Sequence, residues 1–105
     1  MLRWLLPVLL LSACAPALPL VTESDRTWAR QAFPESADDL NDSRGLYARK
    51  CSGCHMLVVP SHVPQREWPA VLDKMADKAH LNDAERARIL RYVLTASRPE
   101  APLAP

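Results

Sequence analysis

The chain has 105 residues, with 13 basic and 12 acidic side chains and a formal charge of +1. Arg3 is the one charged residue among the first thirteen, so twelve charges of each sign remain beyond that stretch. This balance excludes the strongly basic surface that nucleic-acid binding needs, and the length allows one small domain.

The N-terminus reads Met1-Leu2-Arg3-Trp4 and then runs apolar from Leu5 to Leu11, with one Pro7. One positive charge ahead of a short apolar stretch is the pattern of a secretory signal peptide. The run is far below the roughly 20 residues that span a bilayer as a helix. It ends in Leu11-Ser12-Ala13-Cys14, which resembles a bacterial lipobox. The expectation is a signal peptide over 1–13 and a lipidated Cys14 as the first mature residue. The alternative is an ordinary signal peptide with an incidental cysteine. Ala15 stands where an aspartate commonly retains lipoproteins at the inner membrane, which favours the outer membrane.

Residues 15 to about 37 contain Pro16, Pro19 and Pro34 and no sustained period. They read as a flexible linker, so that 14–38 forms a lipidated tether. Such a coil has a root-mean-square reach of roughly 25 Å. Trp28 and Phe33 read as linker aromatics, with rest on lipid or on a partner as the alternative.

The folded domain is expected over 39–98, with a proline-rich tail over 99–105. A chain this short buries little core of its own. The first predicted helix runs from about Asp39 to Lys50, with Leu40, Tyr47 and Cys51 at helical spacing. It delivers Cys51-Ser52-Gly53-Cys54-His55. This Cys-x-x-Cys-His motif is the c-type haem attachment signature. The two thiols can each add to a vinyl group, and the next residue brings an imidazole under the porphyrin plane. A thioredoxin-type dithiol would want a βαβ setting, and a zinc site would want further ligands. Neither context surrounds the motif. Haem attachment in bacteria follows export, which agrees with the signal peptide. The three cysteines are then all assigned: Cys14 to lipid, Cys51 and Cys54 to haem.

Leu57 to Arg66, with Pro60 and Pro64, reads as a loop. The second predicted helix starts near Trp68, with Pro69 tolerated in its first turn. Trp68, Val71, Leu72, Met75 and Ala79 fall on one face. The third has Asn82 as N-cap and Glu85 three positions later, as in a capping box. Ile89, Leu90 and Val93 form its buried side, with Tyr92 flanking. The expected fold is all-α, a small three-helix domain wrapped around a covalent haem.

The segment from Tyr47 to His55, followed by a terminal Ile89-Leu90-Arg91-Tyr92-Val93 helix, resembles a small class I cytochrome c. Trp68-Pro69-Ala70-Val71-Leu72-Asp73-Lys74-Met75 is similar to a tryptophan-to-methionine pattern in cytochrome subunits of some periplasmic dehydrogenases. Cys54-His55-Met56, Pro60 and Trp68 also resemble the small dihaem cytochrome c family, but the single attachment motif argues against a dihaem assignment. Ser43 stands where the class I pattern has a glycine four residues before its aromatic, and no Gly-Pro follows His55 at the usual distance.

These resemblances imply one covalent haem c, with His55 as the proximal ligand. For the opposite position, Met75 shares the face of Trp68 and resembles the family methionine. His80, His62 and an open position are the alternatives, and Met56 adjoins His55 too closely to reach across. Lys78 stands where the dihaem family carries a ligand histidine, ten residues past the tryptophan. Arg66 and the Trp68 indole are candidates for the haem propionates, and the Pro60 carbonyl for orienting His55. Arg86, Arg88, Arg91 and Arg98 either steer an acidic partner or form a solvated face.

The expected function is single-electron transfer between redox proteins, such as a dehydrogenase, an oxidase or another cytochrome. The expected place is the periplasmic face of a membrane, with no catalytic residues. The alternatives are a haem enzyme or sensor with an open sixth position, and a haem-bearing accessory subunit of an oxidoreductase.

Overall fold

A computed structural model describes residues 18–51 and 57–99. The described residues form four α-helices and two single 3₁₀ turns, without strands. The all-α expectation holds. Three of the helices lie where the sequence places them.

Helix α1 spans Glu23–Ala32 and was not expected. The sequence reading of residues 15 to about 37 as a flexible linker is therefore corrected over this stretch. Thr22 caps the helix, its hydroxyl accepting from the Asp25 backbone N–H at 3.1 Å. The Asp25 carboxylate accepts from the Thr22 N–H at 2.7 Å. Two of the orphan donors at the helix start are thus satisfied reciprocally. The buried residue of α1 is Asp25, not an apolar side chain. Its partner is Arg98, just past the last helix, which also donates to Thr95 and Ser24. The Arg98 guanidinium lies 5.8 Å from the Trp28 ring centroid, and Trp28 meets Phe33 edge-on at 5.9 Å. The two expected linker aromatics belong to this packed corner.

The residues before α1 are also built in. Leu18 is buried in the main core. Arg44 donates to the Leu18 and Pro19 carbonyls at 2.9 and 3.0 Å. The Tyr92 hydroxyl donates to the Pro19 carbonyl at 3.0 Å.

Helix α2 spans Leu40–Cys51. The Asp39 carboxylate accepts from the N–H groups of Asn41 and Asp42, which opens the helix. Ser43 is fully buried in α2, and its hydroxyl has no partner among the described residues. The chain resumes at Leu57 and makes 3₁₀ turns at Pro60–His62 and Gln65–Glu67. Helix α3 spans Trp68–Lys78, with proline in its first turn. It ends where His80 takes a left-handed φ of 54°. The Leu81 N–H donates back to the Ala76 carbonyl at 2.9 Å, closing a Schellman turn.

Helix α4 spans Asp83–Ala96, and the expected Asn82–Glu85 capping box is formed in full. The core joins Leu46 and Tyr47 of α2, Trp68 and Leu72 of α3, and Ile89, Tyr92 and Val93 of α4. Tyr92 is in this core, not flanking it, because its hydroxyl reaches the Pro19 carbonyl. Arg86 pairs with Asp73 and so ties α4 to α3. Arg91 pairs with Asp38. With Arg98 on Asp25, three of the four arginines proposed as a steering or solvated face hold the fold together instead.

Candidate functional site

One apolar cavity, about 530 Å³ including its opening, lies between the C-terminal half of α2 and the exposed side of the α3 face. Its walls are Tyr47, Cys51, Val58, Val63, Trp68, Val71, Leu72, Met75 and Ala79. Two cations, Lys50 and Lys78, complete the lining.

The helical period of α3 explains this surface. Trp68 and Leu72 turn into the core and are nearly inaccessible. Val71, Met75 and Ala79, on the same stripe, are only half-buried and line the cavity instead. The apolar stripe of α3 thus has one edge in the core and the other on the cavity.

Two hydrogen bonds hold the opposite wall. The Tyr47 hydroxyl donates to the Val58 carbonyl, and the Trp68 indole N–H donates to the Pro60 carbonyl at 3.0 Å. Both donors come from helices, and both acceptors lie in the segment that returns from the attachment motif. Tyr47 also packs edge-on against Trp68 and Tyr92, with centroids 6.1 and 6.0 Å away. Burial pushes the Tyr47 phenol well above its ordinary range, and nearby Cys51 and Tyr92 push the same way. Tyr47 is thus a neutral donor at all ordinary pH values. Lys50 lies 3.5 Å from the Glu85 carboxylate of α4. The Asn82 backbone N–H and then Lys50 hold Glu85 below the usual carboxylate range.

The structure sorts the expected site residues. Cys51 is half-buried at the end of α2 and lines the cavity together with Met75. His80 is exposed and serves as the left-handed residue that terminates α3. His62 is exposed in its 3₁₀ turn, and neither histidine lines the cavity. Arg66 is exposed and does not line it. The Trp68 N–H, the other propionate candidate, is committed to Pro60. That same carbonyl, expected to orient His55, therefore already accepts from the indole. Cys54, His55 and Met56, like Cys14, the 1–13 signal and most of the tail, lie outside the described residues. Lys50 and the wall of Val58 and Val63 carry no signal for this site in the sequence, whereas Lys78 is marked by its place at the dihaem family's ligand histidine.

A family profile described as Dihaem cytochrome c matches residues 47–103 of the chain. The match begins at Tyr47 and takes in the attachment motif, α3, α4 and both walls of the cavity. No curated protein and no solved structure matches the chain.

Proposed function

This chain belongs to the dihaem cytochrome c family and is a c-type cytochrome with a haem-based electron-transfer role; from that premise we propose a monohaem carrier, lipid-anchored on the periplasmic side, that passes single electrons between protein partners. The sequence argument against this family is corrected, because the matched segment is the whole 47–103 unit. The number of attachment motifs concerns the number of haems, and one motif supports one haem. The observation that carries the reading is that Cys51 and Met75 line one apolar cavity.

The lining suits a haem. A large apolar plate needs aliphatic and aromatic walls, a thiol at one edge, and cations for its two carboxylates. Val58, Val63, Val71, Leu72, Tyr47 and Trp68 supply the walls, and Cys51 the thiol. Lys78 and Lys50, the latter also lying against Glu85, are the cations of the lining that would be available to the carboxylates, in place of Arg66 and Trp68. When bound, haem supplies reversible one-electron chemistry at its iron.

The chain's own residues do the rest. Cys51 and Cys54 attach the group. His55 would offer an imidazole to the iron, and Met75, on the cavity wall, a soft and neutral thioether. Tyr47 and Trp68 shield the site from water, and their bonds to Val58 and Pro60 keep that wall closed. With His55 and Met75 both holding the iron, no position would remain for a substrate, which would favour transfer over turnover. Lys78 carries a second reading for the sixth position. It lines the same cavity one turn beyond Met75, at the place of the family's histidine.

Expression of the full precursor with a cytochrome c maturation system tests the reading. The protein should stay red after acid-acetone extraction. Replacing both Cys51 and Cys54 should abolish the colour, and cyclic voltammetry should show one reversible one-electron couple. A colourless product, or a catalytic wave on adding peroxide far above that of free haem, would overturn it. Among the described residues no helix is long and apolar enough to cross a membrane. Release of the protein from membranes by Cys14→Ser is the test of the lipid anchor.

A further inference from the structure

We propose that residues 18–21 form a membrane-facing edge, which holds the haem domain flush against the bilayer in one orientation. The inference rests on the proposed acylation of Cys14. It replaces a domain swinging on a long tether with a domain seated on the lipid surface.

The leash is short because the chain after it is built into the fold. Leu18 is 7% exposed and belongs to the main core. The Leu18 and Pro19 carbonyls accept from Arg44, and Pro19 also accepts from Tyr92. The buried Asp25–Arg98 pair then fixes α1 to the end of α4. The fastened chain therefore begins at Leu18, not near residue 37. The four residues from Cys14 to Leu18 span at most about 14 Å when fully extended. A domain of about 80 residues has a radius of gyration of roughly 12 Å. A leash of that length cannot wrap around such a body to let its far side meet the lipid.

The edge has a suitable surface. Leu20 follows directly after the fastened Pro19 and is 73% exposed, the one large hydrophobic exposed among the described residues. The acyl group would anchor the chain six residues before Leu20, which would add apolar contact of its own at the lipid surface. Seven residues of α2 separate Arg44, which grips the edge, from Cys51 at the cavity, or roughly 10 Å along the helix. The haem site is then held at a short and constant distance from the bilayer.

The test uses lipidated, haem-loaded protein on vesicles of phosphatidylethanolamine and phosphatidylglycerol. An environment-sensitive dye is placed at Leu20→Cys or, for comparison, at Lys74→Cys on exposed α3. The dye at position 20 should shift to the blue on the vesicle. It should be quenched several-fold more than the dye at position 74 by nitroxide-labelled headgroups. Inserting 20 Gly/Ser residues between Ala17 and Leu18 lengthens the reach to roughly 27 Å and should bring the two positions close to equality. Equal quenching at 20 and 74 in the native-length protein would overturn the edge while leaving the anchor intact, provided the intact mass shows an acylated Cys14. An unmodified Cys14 would overturn both.

Discussion

The corner made by α1 and the cavity wall made by α3 are held by opposite kinds of force. Helix α3 is placed by an apolar stripe at helical spacing, with Trp68 and Leu72 inward and Met75 on the cavity. Helix α1 buries an aspartate, and its hold on the fold is the Asp25–Arg98 pair, a capping box and Arg98 over Trp28. The first kind of contact is local and periodic. The second joins residues 73 positions apart. A periodic stripe can be seen in one stretch of sequence, whereas an ion pair across the chain cannot.

Trp68→Ala should have the largest effect. It removes a fully packed indole, a loss of about 3–5 kcal/mol, and leaves the Pro60 carbonyl without its donor. Thermal or denaturant unfolding should show that loss, and haem incorporation should fall with it. Trp68→Phe keeps much of the packing and isolates the hydrogen bond.

Asp25→Ala comes next and probes the other region. It leaves the Arg98 charge buried without its carboxylate, a cost of about 3–5 kcal/mol where burial is complete. The double change Asp25→Leu with Arg98→Met should recover most of that stability, since a buried pair contributes little beyond an apolar one. Protease cutting within residues 18–33 should rise in the single variant and fall back in the double. A double variant as unstable as the single would show that α1 is not held mainly by this pair.

The region around residues 18–19 also has a pH signature. Burial, with Asp25 adding to it and Arg44 opposing it, pushes the Tyr92 phenol from 10.0 up to about 12. A group with a raised folded pKa contributes its stability fully below the unfolded value. Stability measured by urea unfolding should therefore hold up to about pH 10 and decline from there towards pH 12. Tyr92→Phe should lessen that decline, and Tyr47, whose phenol burial also raises, should supply what remains.

The smallest effects separate caps from core. Thr22→Ala and Asn82→Ala should each cost about 1 kcal/mol, the first loosening α1 and the second α4. Ser43→Ala should be neutral or slightly stabilising, because the buried hydroxyl lacks a partner among the described residues. A marked loss on Ser43→Ala would mean that the hydroxyl has a role at the α2 surface.

These contrasts explain what was legible. The apolar stripe of α3 and the Asn82-x-x-Glu85 box placed the starts of two helices to within a residue, and Leu40, Tyr47 and Cys51 at helical spacing placed α2. The same stripe singled out Met75, which the structure puts on the cavity with Cys51. Helix α1 was missed because its buried side is polar, although Thr22-x-x-Asp25 is itself a capping-box signal. Tyr92 was read as flanking because its partner is a carbonyl at position 19, far outside its own helix. Arg66 was favoured for the propionates by residue type alone. Lys78 was legible only as the place of the family's histidine, and Lys50 not at all, because their shared cavity exists only once α2 and α3 are packed.

The proposal with most at stake is that Met75 would bind the haem iron together with His55. The direct measurement is the absorption spectrum of the oxidised, haem-loaded protein beside Met75→Ala, Lys78→Ala, His62→Ala and His80→Ala. The native protein should show the weak red-edge band of sulfur-to-iron charge transfer. Met75→Ala alone should abolish it and open the iron to added imidazole, and the other three should leave it unchanged. A spectrum indifferent to Met75→Ala but altered by Lys78→Ala or by either histidine change would contradict the account.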